Sequence, residues 1–213
     1  MKTDYAAHDA RYRALRERGA VGWSTDDDYL ERREQLAPYL ARTRGRLLEL
    51  GCGAGNMLAW LIERGFDVSG IDISDAAIEW ARERAPNAHF EVGNAVITIA
   101  GEFDVILDGN CLHCIVGDDR ARLLANIHAA LRPGGVFIAS TMCGPIHNPK
   151  LLAQFDPATR CQIVDGVSYR YIGDADAILA ELRAANFTIA DFHIEPRKHP
   201  DDQDHLITFA TRP

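Results

Sequence analysis

The chain has 213 residues, 47% hydrophobic and 25% charged, which are ordinary proportions for one folded globular domain. A net charge of −8 argues against a long nucleic-acid substrate, because a basic field that neutralises phosphates supplies most of such affinity. Cys52, Cys111, Cys114, Cys143 and Cys161 are odd in number and irregular in spacing, so they form no disulfide framework. The start, MKTDYAAHDARYR, lacks the apolar stretch of a secretory leader, and no apolar run approaches the roughly twenty residues that span a bilayer. A reducing cytoplasm without membrane attachment is the expectation.

Charge is uneven along the chain: residues 1–46 sum to +2 and the remainder to −10. Arg11, Arg13, Arg16 and Arg18 read as a solvated helix face or as a lid that meets an anion. Residues 26–37 predict a helix, with Leu30, Arg33, Leu36 and Ala37 at helical spacing, acids at its start and Pro38 limiting its end. RLLEL (46–50) predicts a buried strand that stops at Gly51, and 56–64 a helix that Gly65 can cap. DVSGIDI (67–73) is the next strand, followed by a helix capped by Ser74 and closed by Pro86. Strands at 89–92 and 103–108, a helix at 118–131 and a strand at 136–141 continue the alternation. Residues 142–172 fit no clear element and read as a substrate-side insertion or a variable surface excursion. Asp174 opens a helix that Asn186 can end, and 187–194 and 205–211 form a terminal hairpin. Strands alternating with helices mean an α/β fold, a mostly parallel sheet covered on both faces. The organisation expected is a single domain: an N-terminal helical cap (1–44), a core (45–141), the insertion (142–172), and a final helix and hairpin (173–213).

The most specific motif is Glu49-Leu50-Gly51-Cys52-Gly53-Ala54-Gly55-Asn56, between a strand and a helix. Glycines permit the sharp turn and a close ligand, and the helix start offers amide donors. Asp72, at the end of the next strand, can accept hydrogen bonds from two ribose hydroxyls. The dinucleotide fingerprint GxGxxG is not met, since the third glycine is one position early and Asn56 follows it. Glu49 before the loop would repel a pyrophosphate and attract an ammonium group.

LLELGCGAGN, GIDIS, GNA (93–95), FDVILDGN and LRPGGVFIAST, in that order over residues 46–141, resemble the class I S-adenosylmethionine-dependent methyltransferases. The resemblance implies a three-layer αβα Rossmann-like sandwich whose seven strands run in the order 3-2-1-4-5-7-6, strand 7 antiparallel. It implies S-adenosyl-L-methionine as cofactor, with Gly51, Cys52, Gly53 and Gly55 along its methionine and ribose side. It further implies Glu49 at the amino group, Asp72 on the ribose, Ile73 against adenine, and Asn94 and Ala95 at the adenine edge. Asn94 stands where the family often has Asp and keeps a carbonyl acceptor. Asp108 and Asn110 are expected near the methyl group.

Methyl transfer from a sulfonium needs mainly alignment and exclusion of water, so a catalytic dyad is not required, and none is evident. His113 is the candidate base, with a packed or capping histidine as its plainer reading; His8 and His147 are lesser candidates. Tyr5, Tyr12, Trp23 and Tyr29 read as an aromatic cap over the site or as ordinary packing. Cys111 and Cys114 lack two further ligands at zinc spacing; with Cys143 they raise metalloid methylation as a minor possibility, and no metal site is expected. The Pro-Pro-Tyr/Phe motif of base-modifying amino-methyltransferases is absent from Asp108-Gly109-Asn110-Cys111. The expectation is a small-molecule methyltransferase, monomer or homodimer. Its rivals are an NAD-dependent oxidoreductase and a non-catalytic regulator that binds the same cofactor.

Overall fold

A computed structural model describes residues 4–213; the first three residues of the expected cap lie outside it. In chain order the elements are α1 (Ala7–Glu17), α2 (Asp26–Leu40), β1 (Arg46–Leu50), α3 (Leu58–Glu63), β2 (Asp67–Asp72), α4 (Asp75–Arg84), β3 (His89–Val92) and β4 (Phe103–Asp108). A 3₁₀ turn (Leu112–Cys114), α5 (Asp119–Ala130), β5 (Leu131–Cys143), α6 (Pro149–Ala153), β6 (Phe155–Asp156), β7 (Cys161–Val164) and β8 (Val167–Tyr171) follow. The chain ends with α7 (Ala175–Ala184), β9 (Thr188–Glu195) and β10 (Asp204–Thr211).

Seven strands form one sheet in the order β3-β2-β1-β4-β5-β10-β9, and β10 alone runs against the others. With the three short strands of the insertion set aside, this is the order 3-2-1-4-5-7-6. Alternation of side chains divides the core. Leu48, Leu50, Ile106, Phe137, Ala139 and Leu206 meet Leu123 and Ile127 of α5 and Ile178 and Leu182 of α7. Leu47, Val105, Leu107, Ile138 and Ile207 meet Leu36 and Leu40 of α2, Leu58 and Leu61 of α3 and Ile78 of α4. The central strands β1, β4 and β5 are apolar on both faces because helices cover both, the physical meaning of a three-layer sandwich. Leu50 lies opposite Ile71 on one side and Asp108 on the other, so β1, β2 and β4 end level and their loops share one rim.

Three local expectations are corrected. The helix at 26–37 does not stop at Pro38; it continues to Leu40, because Tyr39 and Leu40 are buried and one lost backbone bond is offset by that packing. The strand at 136–141 extends to Leu131–Cys143, since β10 pairs with it from Val136 to Cys143. The segment 142–172 is not irregular: α6 is followed by a three-stranded antiparallel sheet, β6-β7-β8. Asp165-Gly166 joins β7 to β8 with φ of 51° and 75°, the left-handed pair that a tight two-residue hairpin demands. That Asp-Gly pair was the signal available in the sequence.

The head of the chain is tied to the body. Tyr12 and Leu15 of α1 pack on Ala76 and Ala77 of α4, and the Asp9 carboxylate accepts hydrogen bonds from Ser74 Oγ at 2.8 Å and Ala76 N at 3.0 Å. No helix among the described residues is long and apolar enough to cross a membrane.

Candidate functional site

A cavity of about 650 Å³ opens over the C-terminal ends of β1, β2 and β4, the crevice where open α/β sheets bind ligands. Its floor is the glycine turn after β1. Asp72 organises that turn: Oδ2 accepts from Gly53 N and Oδ1 from Ser74 N, both at 2.9 Å. Gly53 has φ +53°, and a Cβ there would lie 2.4 Å from the Tyr12 hydroxyl, so the turn and α1 touch only because the side chain is absent. The amides do not form an open cradle. Cys52 N donates to Ile71 O, Gly53 N to Asp72 and Gly55 N to Cys52 O. Helix α3 begins only at Leu58, with its first turn already bonded back to Met57 and Gly55. A diphosphate therefore finds these donors engaged and two carboxylates nearby.

Glu49 is 2% exposed, and its Oε2 is buried without a hydrogen-bond partner. Burial pushes its carboxyl up to about 8, opposed by the nearby Arg32 guanidinium. An orphaned buried acceptor on the cavity wall fits a cationic ligand group: the ammonium of a methionine moiety would satisfy it, a phosphate would not. Arg32, on α2, is itself buried and donates to the Asp108 carbonyl oxygen. Sequence reading missed Arg32, since an arginine among Glu31, Arg33 and Glu34 looks like surface.

Ten of the twelve expected site residues border the cavity: Glu49, Gly51, Cys52, Gly53, Asp72, Ile73, Asn94, Ala95, Asn110 and His113. Gly55 and Asp108 do not, which corrects their expected placement. A Cβ on Gly55 would meet Ala81 Cα and Cβ at 3.1 Å, so this glycine lets α4 approach the turn. Asp108 is fully buried; Oδ1 accepts from Cys111 N at 2.7 Å and Leu112 N at 2.9 Å, and Oδ2 from Ser140 N at 3.3 Å. It shapes the turn after β4. Asn110, at φ +64°, begins that turn. The side-chain Oδ1 of Asn94 already accepts from Val96 N at 2.9 Å. Cys52 also packs, its Sγ lying where a Cβ on Gly70 would be.

The far wall gathers residues distant in sequence. His113 on the 3₁₀ turn is 4% exposed, with Nδ1 buried and unpartnered. Burial, with Arg170 beside it, drives its pKa well below the usual histidine range, so it is neutral at pH 7. His205 of β10 stands edge-on to it, ring centroids 6.4 Å apart. The Nδ1 of His205 lies 3.0 Å from the Gln203 carbonyl, which can only accept, so that nitrogen carries the proton. Tyr5, Tyr12, Trp23 and Tyr29, the residues of the aromatic-cap reading, border the cavity, and His8 joins them from the same head segment. His8 stacks between Trp23 and Tyr169 at 5.6 and 5.9 Å. His147 does not border the cavity.

Comparison with known proteins shows the family. A family model described as a methyltransferase domain matches residues 23–191. Trans-aconitate 2-methyltransferase of Deinococcus radiodurans is 36% identical over 98 residues, 45% of this chain and 37% of that one. Ribosomal RNA small subunit methyltransferase C of Alcanivorax borkumensis is 29% identical over 99 residues, 43% and 30% of the two chains. The match thus spans well under half the length of either relative. Among solved structures, the 1,6-didemethyltoxoflavin-N1-methyltransferase of Burkholderia thailandensis, bound to its substrate and S-adenosylhomocysteine, superposes with a TM-score of 0.73. It is 23% identical, with 97% of this chain and 87% of that one covered, a likeness of fold. The chain belongs to the class I S-adenosylmethionine-dependent methyltransferases.

Proposed function

We propose that this protein transfers a methyl group from S-adenosyl-L-methionine to a small-molecule acceptor, releasing S-adenosyl-L-homocysteine. The observation that carries the reading is the pairing of two buried carboxylates on one cavity: Asp72, fixed by Gly53 and Ser74, and Glu49 with an unpartnered oxygen. When bound, the cofactor supplies a methyl group on a positively charged sulfur. Asp72 accepts hydrogen bonds from the ribose hydroxyls, and Glu49 holds the amino group. Ile73 packs on adenine, and Asn94 and Ala95 border its edge. Gly51, Cys52 and Gly53 line the methionine and ribose side, and Asn110 lies toward the methyl group. The aromatic roof excludes water, which leaves alignment of nucleophile, carbon and sulfur as the main contribution to rate.

His113 is the residue assigned to the reacting side. Being neutral, it can accept a hydrogen bond from an acceptor hydroxyl or amine, and its low basicity suits orientation of the nucleophile better than outright removal of a proton. A small acceptor suits a cavity of about 650 Å³ and a net charge of −8. The name of the Deinococcus relative, a methyltransferase for a small carboxylic acid, points the same way.

Thermal shift separates the rivals. A ligand at a hundred times its dissociation constant adds roughly 2.7 kcal/mol of stability. S-adenosylmethionine and S-adenosylhomocysteine are expected to stabilise and NADH to have no effect; the reverse pattern would falsify the reading. Release of S-adenosylhomocysteine with a metabolite panel, and none with total RNA, distinguishes a small-molecule enzyme from a silent binder and from an RNA methyltransferase.

A further inference from the structure

We infer that the acceptor is an organic anion, anchored through a carboxylate by Arg170 on the cavity wall. The inference rests on the methyl-transfer reading for the word acceptor, and on separate residues for the site.

Arg170 lies on β8 of the inserted sheet, which packs against the 3₁₀ turn carrying His113. Its Nε is buried without a hydrogen-bond partner, although the residue borders the cavity. Beside it lie the Tyr169 ring, 5.2 Å from the guanidinium carbon, and the Cys114 thiol, with which it shares a hydrogen bond. No carboxylate pairs with it among the described residues. The other arginines of the region are engaged: Arg120 with Glu181 at 2.6 Å, Arg160 with Asp174 at 2.8 Å, Arg197 near Asp204 at 3.9 Å and Arg32 on Asp108.

A second observation points to a ligand at the same place. His113 is 4% exposed, and its Nδ1 has no hydrogen-bond partner among the described residues. Gln162, one strand away on β7, also borders the cavity and has a buried, unpartnered Oε1. Leaving such polar atoms unpaired carries a desolvation penalty, which a ligand able to pair with them removes. The acids of this end do not supply the missing charge. Glu195 faces His193 at 3.4 Å, Asp204 faces Arg197, and Asp201 and Asp202 are exposed on the loop before β10. A guanidinium with an unpartnered Nε and no carboxylate beside it, flanked by an unpartnered imidazole nitrogen, is a carboxylate receptor, since its fork can present two parallel N–H donors to two oxygens.

Isothermal titration tests this with wild type, Arg170→Gln, Arg170→Lys and, as control, Arg183→Gln on the exposed face of α7. Trans-aconitate, succinate and benzoate are titrated, each against its uncharged amide, with and without saturating S-adenosylhomocysteine. At least one carboxylate is expected to bind saturably and its amide at least tenfold more weakly. Arg170→Gln is expected to lose at least tenfold, Arg170→Lys less, and Arg183→Gln nothing. S-adenosylhomocysteine itself is expected to bind wild type and Arg170→Gln equally. Absence of carboxylate binding, or equal binding by wild type and Arg170→Gln, overturns the inference. A tenfold loss of S-adenosylhomocysteine affinity in Arg170→Gln also overturns it, by assigning the fork to the cofactor's own carboxylate. Should Arg170→Gln fail to fold by circular dichroism, unchanged affinity in Arg170→Lys overturns it instead. A wild type that binds carboxylates but no S-adenosylhomocysteine sinks the methyl-transfer reading while the anion site stands.

Discussion

Glu49 borders the cavity with a buried, unpartnered carboxyl oxygen, and its protonation state is measurable. Burial lifts the pKa of its carboxyl in the folded chain to about 8, from an ordinary 4.5. Between those values the folded chain holds a proton that the unfolded chain has lost, so this group's contribution to stability falls as pH rises from about 4.5 to about 8. In the ligand-free protein, Glu49→Gln is therefore expected to raise Tm relative to wild type more at pH 8 than at pH 5; scanning fluorimetry giving the same difference at both would show the carboxyl is not perturbed. Binding of an ammonium beside Glu49 must also expel its proton. Titration of S-adenosylhomocysteine at pH 6.5, in two buffers of different ionisation enthalpy, is expected to report net proton release in wild type and less in Glu49→Gln. Asp72 does a second job at the same scale: Asp72→Ala is expected to weaken S-adenosylhomocysteine binding by about 1–3 kcal/mol. An unchanged Kd would put the ribose elsewhere.

The elements position these residues through their ends. β1, β2 and β4 stop level, so three short loops, each shaped by a carboxylate or a glycine, become one floor. Asp108 holds the turn after β4 by two amides, which places Asn110 and His113 at the cavity although the aspartate itself never reaches it. Gly55 serves the contact of the turn with α4. At φ +74° and with Ala81 3.1 Å from a would-be Cβ, Gly55→Ala meets both backbone strain and a backbone clash. It is expected to cost about 1–3 kcal/mol in urea unfolding. Gly134→Ala, at φ +77° in open space, meets the strain alone and should cost less. Equal losses would mean that α4 yields without penalty.

At the scale of the whole molecule, the site is closed by two parts outside the alternating core: the head segment and the inserted sheet. Asp9 is the clasp of the first, tying α1 to the start of α4. Asp9→Ala is expected to raise amide exchange in α1 about tenfold, the equivalent of about 1.4 kcal/mol, with the strands of the sheet unchanged. S-adenosylhomocysteine affinity should fall with it, because Tyr5, His8 and Tyr12 roof the cavity from this segment. Undisturbed exchange in α1 would show the helix is held by Tyr12 and Leu15 alone.

What the residues alone determined was everything with a short-range signature: the alternation of strand and helix, the glycine turn with Glu49 before it, and Asp72 about twenty positions on. These signals are local because apolar periodicity, capping and turn chemistry act within a few residues. The Asp165-Gly166 hairpin was equally legible, but it lay within a segment read as loop. Only the folded chain decided that Gly55 and Asp108 turn inward to protein, that the loop amides are occupied, and that Arg32, His113, Arg170 and His205 face one space. Those assignments depend on burial and pairing between residues up to 173 positions apart, as between Arg32 and His205. No repeat or spacing in a sequence encodes such a meeting; it exists once the sheet order has set which strand ends are neighbours.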